Sequence, residues 1–338
     1  METPAFDAAE LAGRFALGLQ GDGRVRVEGV GTLANASPSQ LAFLANRRYR
    51  PQLAETHAGV VVMRAEDAEG FQGTALLASD PYAAFARLAA LFEPRALHVP
   101  GIHHSAVVDP SAYVDGSAHV GPFVSIGART RIEAGATIGP GCVIGDDCVV
   151  GAGCELIARV TLVVRVRLGS RVRIHPGAVL GADGFGLAMD AGRWLKVPQL
   201  GGVEIGDDCE IGANTTIDRG AIENTVLEAD VRLDNQIQIG HNAFIGAHTA
   251  MAGCAAVAGS ARIGRYCLIG GAAGILGHLE ICDRVVITAM SLVSSTIREP
   301  GEYSSGTGLM DNRSWRKNAA RFRQLDALAR RVTGRTDT

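Results

Sequence analysis

The chain has 338 residues, 47% hydrophobic and 20% charged, enough apolar content to bury a core across two or three structural units and too much for a chain disordered as a whole. A net charge of -3 supplies no positive field to hold a polyanion, which argues against general nucleic-acid binding. The 43 glycines set against 5% aromatic residues indicate a need for tight corners more than for large side chains.

The opening segment Met1-Glu2-Thr3-Pro4-Ala5-Phe6-Asp7 has neither the basic nor the apolar region of a secretion signal, and no apolar run approaches bilayer length. A cytoplasmic protein without a transmembrane segment is expected. The seven cysteines then read as reduced thiols. Lysine occurs only at Lys196 and Lys317, so no Gly-Lys-Ser/Thr phosphate loop exists and a P-loop ATPase or kinase is excluded.

Residues 1–98 read as a small α/β unit. Asp7 and Glu10 form a potential capping box before Leu11 and Phe15, and Val25–Val30 and Gly59–Met63 are strand candidates. A second helix is punctuated by Asp80 as N-cap, Pro81 at the first helical position, a stripe of Phe85, Leu88 and Phe92, and Pro94.

From Ile102 an aliphatic residue recurs every six positions, through Val108, Val114, Val120, Ile126, Ile132 and onward to Leu180. Four positions after each, up to Ile174, stands a small or β-branched residue, such as Ala118, Val124, Thr130, Ala136 and Cys142. A period of six is neither a helix nor a lone half-buried strand. It fits a short strand plus a corner with both columns turned inward, three of which close one coil of a parallel β-helix.

The phase breaks after Leu180 and resumes at Ile205, so residues 181–198 are expected to leave the coil as a loop. After Ile217 it slips by four residues, then runs from Leu227 to Val293. A β-helix spanning 99–298, of about ten coils, is predicted, with Glu299-Pro300-Gly301 as its stop. Asn312–Val332 reads as a basic helix within a C-terminal extension, 299–338.

Cys142, Cys148 and Cys154 resemble a metal cluster at first glance, but their spacing is the repeat itself. Successive hexads lie on different walls, so a structural role and no metal site are expected. His241 follows Ile239-Gly240 at a corner, and His278 lies two coils and one residue further on. The two should share a wall, roughly 10 Å apart along the axis, with His248 on the next.

The six-residue pattern resembles the hexapeptide-repeat acyltransferases, which implies a left-handed coil and a homotrimer. Four longer strings narrow the resemblance: Ile217-Asp218-Arg219-Gly220-Ala221, Asp234-Asn235-Gln236-Ile237-Gln238-Ile239-Gly240-His241-Asn242, Gly277-His278-Leu279-Glu280-Ile281-Cys282-Asp283, and Glu299-Pro300-Gly301-Glu302-Tyr303-Ser304-Ser305-Gly306. Together with the 181–186 loop and the N-terminal unit, they are similar to the UDP-3-O-(3-hydroxyacyl)glucosamine N-acyltransferases of lipid A biosynthesis.

That resemblance implies transfer of a 3-hydroxyacyl chain from the phosphopantetheine arm of acyl carrier protein to the 2-amino group of a UDP-linked 3-O-acylglucosamine, with no other cofactor. His241 matches the general base and Gly259 a backbone oxyanion donor. Phe43, Asn46 and Tyr49 match positions that hold uridine. Asp234 is expected to orient His241 or touch the sugar, Gln238 and Asn242 to contact substrate or acyl chain, and His278 to lie near the nucleotide. Each of Asp234, Gln238 and Asn242 could equally cap a corner. Met290 and Leu292 are candidates for the floor of an acyl groove, and Arg313, Arg316 and Lys317 for carrier-protein docking. The related O-acyltransferases, sugar-nucleotide acetyltransferases, a β-helical carbonic anhydrase and a purely structural solenoid are the competing readings.

Overall fold

The computed structural model describes residues 4–94 and 98–333. The chain divides into two compact units, Met1–Leu97 and His98–Thr338.

In the N-terminal unit a five-stranded sheet runs in the order Gly18–Gln20, Thr74–Leu77, Val60–Met63, Gln40–Phe43, Gly29–Val30. Val60–Met63, apolar at every position and buried at each, takes the centre because both its faces are covered. The candidate strand Val25–Val30 divides in two: Arg26–Val27 pairs antiparallel with Phe6–Asp7, while Gly29–Val30 joins the sheet. Helix α1 (Ala8–Phe15) starts at Asp7, whose side chain makes no cap bond, so the expected capping box is not formed. Helix α2 (Pro81–Ala89) starts as its sequence requires, with the Asp80 carboxylate accepting from the N–H groups of Tyr82 and Ala83.

The second unit is a parallel β-helix with three walls of nine, eleven and ten strands. Strands one coil apart pair in register at a separation of eighteen residues, as in Ile126 with Ile144 and Ile144 with Leu162. The aliphatic column is buried along the stack, and Cys142, Cys148 and Cys154 sit in the small column beside it. Their thiols point to backbone carbonyls of Leu156, Asp146 and Gly169, and burial pushes Cys148 and Cys154 up to about 11. Among the described residues no cluster of His, Cys, Asp and Glu could hold a metal.

Two local rules build the corners. A Cβ on Gly139, Gly145 or Gly151 would lie 1.9, 1.8 or 2.1 Å from a carbonyl oxygen of the next coil, so these glycines answer a close approach of backbones. The third residue of many corners is left-handed and is not glycine, as at Arg129 (φ 57°), Asp147 (φ 57°) and Arg171 (φ 58°). Arg129 there forms a two-point ion pair with Asp147 one coil on. Buried Thr130, Thr215 and Thr249 join coils from inside, each hydroxyl donating to one coil's carbonyl and accepting an N–H from another residue.

The segment after Leu180 is more ordered than a loop. Val179–Asp183 remains a strand with a bulge, and Leu187–Asp190 pairs with Arg193–Lys196 as an antiparallel hairpin. Nor does Pro300 stop the coil: Gly301–Tyr303 adds one more parallel strand beside Val285–Ile287. The expected single C-terminal helix is two, α3 (Asn312–Phe322) and α4 (Leu325–Thr333), separated at Arg323–Gln324.

Candidate active site

The wall containing Thr216–Arg219, Gln238–Ile239, Ala256–Val257 and Gly274–Ile275 ends in a corner that bears His241. His241 and His278 share this corner two coils apart, as their spacing requires, but out of phase by one residue. His278 (φ 61°) occupies the left-handed position held by Asn242 (φ 59°) and Ser260 (φ 61°) in the coils before it. His241 instead stacks in line with Gly259 and Gly277, one and two coils on.

The imidazole lies between two glycines. A Cβ on Gly184, in the segment leading to the hairpin, would lie 2.6 Å from His241 Cβ and 2.9 Å from Cδ2, while one on Gly259 would lie 2.7 Å from Nε2. Either side chain would displace the ring. On the inner side Nδ1 is 3.1 Å from Asn242 Oδ1, which leaves Nε2 without a partner among the described residues.

Gly259 also offers a donor. At comparable corners a side chain from a neighbouring coil caps the free N–H: Asp146 takes that of Ala128, Asp283 that of Arg265 and Asp234 that of Gly253. The residue one coil beyond Gly259 is Gly277, which has no side chain, and no acceptor among the described residues takes the Gly259 N–H.

Three charged residues surround this corner that sequence reasoning had not assigned. Asp218, on the strand beside Gln238–Ile239, accepts from Gln238 Nε2 at 3.0 Å. Burial pushes its carboxyl above the ordinary range, although Gln238 and the nearby His241 pull the other way. Arg219 is 7% exposed; its Nε donates to Gly201 O at 2.8 Å and Nη1 lies 3.9 Å from Asp183, the carboxylate that also pairs with Lys196. Its Nη2 has no partner among the described residues, and burial together with nearby Arg165 holds the guanidinium below its usual value. The string Asp218-Arg219 stood in the resembling motif, but only the fold sets it beside the histidine.

The remaining candidates are distributed as follows. Gln238 engages Thr216 and Asp218, so its amide is tied to the neighbouring coil. Asp234 does not orient His241; it sits at the preceding corner, where Oδ2 caps the Gly253 N–H at 2.9 Å, and it borders a groove of about 660 Å³ lined also by His175, Glu210, Arg232 and Met251. His248 is on the next corner, bound to Asp230 at 2.8 Å and stacked on Tyr266. Met290 and Leu292 are exposed. Leu292 continues the outward column of Gln238, Ala256 and Gly274, in which the two middle residues are small.

In the N-terminal unit Phe43 stacks on Phe85 with centroids 4.2 Å apart and lies 5.7 Å from Tyr82. Tyr49, in a 3-10 helix that Asn46 caps by accepting from Arg48 N–H, is exposed and is not among Phe43's ring partners, so no Phe43–Tyr49 sandwich is preformed. Arg313, Arg316 and Lys317 are exposed on α3.

The coil built on a six-residue repeat, with strands paired eighteen residues apart, is that of the hexapeptide-repeat transferases. Two hexapeptide-repeat family models match residues 123–158 and 197–220, and the model described as UDP-3-O-(3-hydroxymyristoyl) glucosamine N-acyltransferase matches residues 24–91. A UDP-3-O-acylglucosamine N-acyltransferase from Xanthomonas campestris pv. campestris is 70% identical over 96% of both chains, and one from Xylella fastidiosa 64% identical over 97% of both. The chain belongs to the UDP-3-O-acylglucosamine N-acyltransferase family. A solved UDP-N-acetylglucosamine acyltransferase from Arabidopsis shares the coil at TM-score 0.54 and 23% identity, over 70% of this chain and 84% of its own. Among the described residues no helix is long and apolar enough to cross a membrane.

Proposed function

We propose that this N-acyltransferase moves a 3-hydroxyacyl group from the phosphopantetheine thioester of acyl carrier protein to the 2-amino group of UDP-3-O-(3-hydroxyacyl)glucosamine, in the cytoplasm, as a step of lipid A biosynthesis. The observation that carries the reading is the open Nε2 of His241 beside the uncapped N–H of Gly259.

An ammonium has no lone pair, so the attacking amine must be neutral, and it must lose a proton as the carbon–nitrogen bond forms. His241 Nε2 accepts that proton. The thioester oxygen gains negative charge in the tetrahedral species, and the Gly259 N–H is the donor assigned to it. Collapse breaks the carbon–sulfur bond, and the imidazolium returns its proton to the departing pantetheine thiolate.

Uridine is assigned to Phe43, Asn46 and Tyr49, with His278 near the nucleotide and Asp234 and Gln238 toward the sugar. The acyl chain is assigned to the column from Gln238 across Ala256 and Gly274, with Leu292 and Met290 at its floor. The acidic carrier protein is assigned to Arg313, Arg316 and Lys317. The family resemblance supports a homotrimer, which sedimentation would test.

The deciding experiment offers several 3-hydroxyacyl carrier proteins to UDP-3-O-acylglucosamine, with acyl-coenzyme A as a parallel donor and His241→Ala as control. N-acylation from the carrier, lost by about 100-fold or more in the variant, supports the reading. Equal use of coenzyme A, or a variant retaining a tenth of the rate, would remove the carrier or the base from it.

A further inference from the structure

We infer that Asn242 is the positioning residue that sets the tautomer of His241, so that Nδ1 carries the proton and Nε2 presents its lone pair. This rests on the reading of His241 as the base but makes a separate claim about where the ring proton sits.

The orientation of an asparagine amide follows from its partners when they are of one kind only. Asn242 has two such partners, both backbone. Its Oδ1 accepts from the Ala221 N–H at 2.9 Å, and its Nδ2 donates to the Glu223 carbonyl at 3.0 Å. Flipping the amide would set NH₂ against an N–H and oxygen against a carbonyl. The atom 3.1 Å from His241 Nδ1 is therefore an acceptor, and a neutral imidazole facing an acceptor at Nδ1 is protonated there.

The side chain is held from its other end as well. Asn242 is left-handed at φ 59°, a conformation that asparagine tolerates better than most residues, and its own N–H donates to Thr225 Oγ1 at 2.8 Å. Ala221 and Glu223 both lie in the four-residue slip of the repeat. Across this slip Thr216 pairs with Gln238 at a separation of 22 residues, where ordinary coils use eighteen. Without those extra residues neither the donor nor the acceptor that lock the amide would be present. An acceptor that cannot turn leaves the imidazole one neutral form, the one suited to take a proton from an amine at Nε2.

Nitrogen-15 spectra of the histidine-labelled full-length protein test this directly, with His241 identified among nine histidines by its absence in His241→Ala. The wild-type spectrum should show the Nδ1–H form of His241. Asn242→Leu should move it toward the Nε2–H form, and should lower kcat about 10- to 100-fold with KM for both substrates within twofold. Asn242→Asp keeps an acceptor beside Nδ1 and should restore the tautomer and most of kcat. A wild-type His241 in the Nε2–H form, or a tautomer unmoved in a folded Asn242→Leu, would overturn the inference; the wild-type measurement needs no variant to fold. If Asn242→Leu shifts the tautomer while His241→Ala remains active, the positioning claim stands and the base assignment falls.

Discussion

Gly259 lies against the outer edge of His241, one coil away, so that a Cβ placed on it would fall 2.7 Å from Nε2. The glycine is not in the left-handed region, so alanine there would meet no backbone strain and the coil should fold. Gly259→Ala is expected to lower kcat by about 100-fold or more, the scale of losing general-base catalysis, while Tm stays within a few degrees. A variant within twofold of wild type would mean that substrate does not reach His241 from this side.

The outward column Gln238, Ala256, Gly274, Leu292 covers three coil spacings, about 14 Å at the separation of paired strands. Gly274 leaves room above Leu292, whose Cδ1 would sit 3.6 Å from an added Cβ. Gly274→Leu is expected to shift the preferred donor to a chain several carbons shorter, without loss of the best kcat/KM. An unchanged chain-length profile would move the acyl groove to another wall.

For the nucleotide, the ring partners of Phe43 separate two tyrosines. Tyr82 lies 5.7 Å from Phe43 and is exposed, whereas Tyr49 is not a ring partner of Phe43 among the described residues. If the base stacks on the Phe43 side of α2, Tyr82→Ala raises KM for the UDP-sugar several-fold and Tyr49→Ala does little; the resemblance predicts the reverse. Comparing both variants under identical donor supply decides the matter.

Charge reversal at Arg313, Arg316 and Lys317 should raise KM for the acylated carrier at least tenfold at low salt and flatten its salt dependence. With a coenzyme A or pantetheine donor the same variant should match wild type. Equal losses with both donors would assign these residues to folding.

A chain of polar contacts runs from His175 through Glu210 and Arg232 to Asp230 and His248. Burial pushes Glu210 and Asp230 up, but hydrogen bonds from His175 and Arg232 to the first, and from His248 and Arg232 to the second, outweigh it and hold both carboxyls below their ordinary range. Depressed carboxyls add stability that is present above their unfolded values, near pH 4, and lost as pH falls through the folded ones. Arg232→Met should therefore melt below wild type at pH 7, and the gap should narrow toward pH 3. A gap independent of pH would show that the guanidinium acts through packing alone.

The coil was legible because every turn rests on the next, so one inward column is selected many times over and its period survives local noise. The site was legible only in part. His241 and Gly259 stand in line with the repeat, whereas the partners of Asn242 come from Ala221 and Glu223, outside the periodic positions, and no spacing rule reaches them. Asp7 failed as a side-chain cap while its backbone pairs with Arg26, a contact that a local capping rule does not include. The basic tail read as one helix because its composition is uniform, although the chain divides it at Arg323–Gln324.

The hairpin and the four-residue slip both enter the same stretch of the stack, from Gly181 to Thr225, and they are tied together: Leu200 N–H bonds Ala221 O, Gly201 N–H bonds Gly220 O, and Asn224 accepts from Gly202 N–H. In a one-dimensional array, where each layer is stabilised mainly by its neighbours, such a stretch acts like a dislocation in a crystal. It divides the rod into an N-terminal and a C-terminal block whose mutual coupling differs from the coupling within either. Thermal or chemical unfolding should therefore open first along this seam.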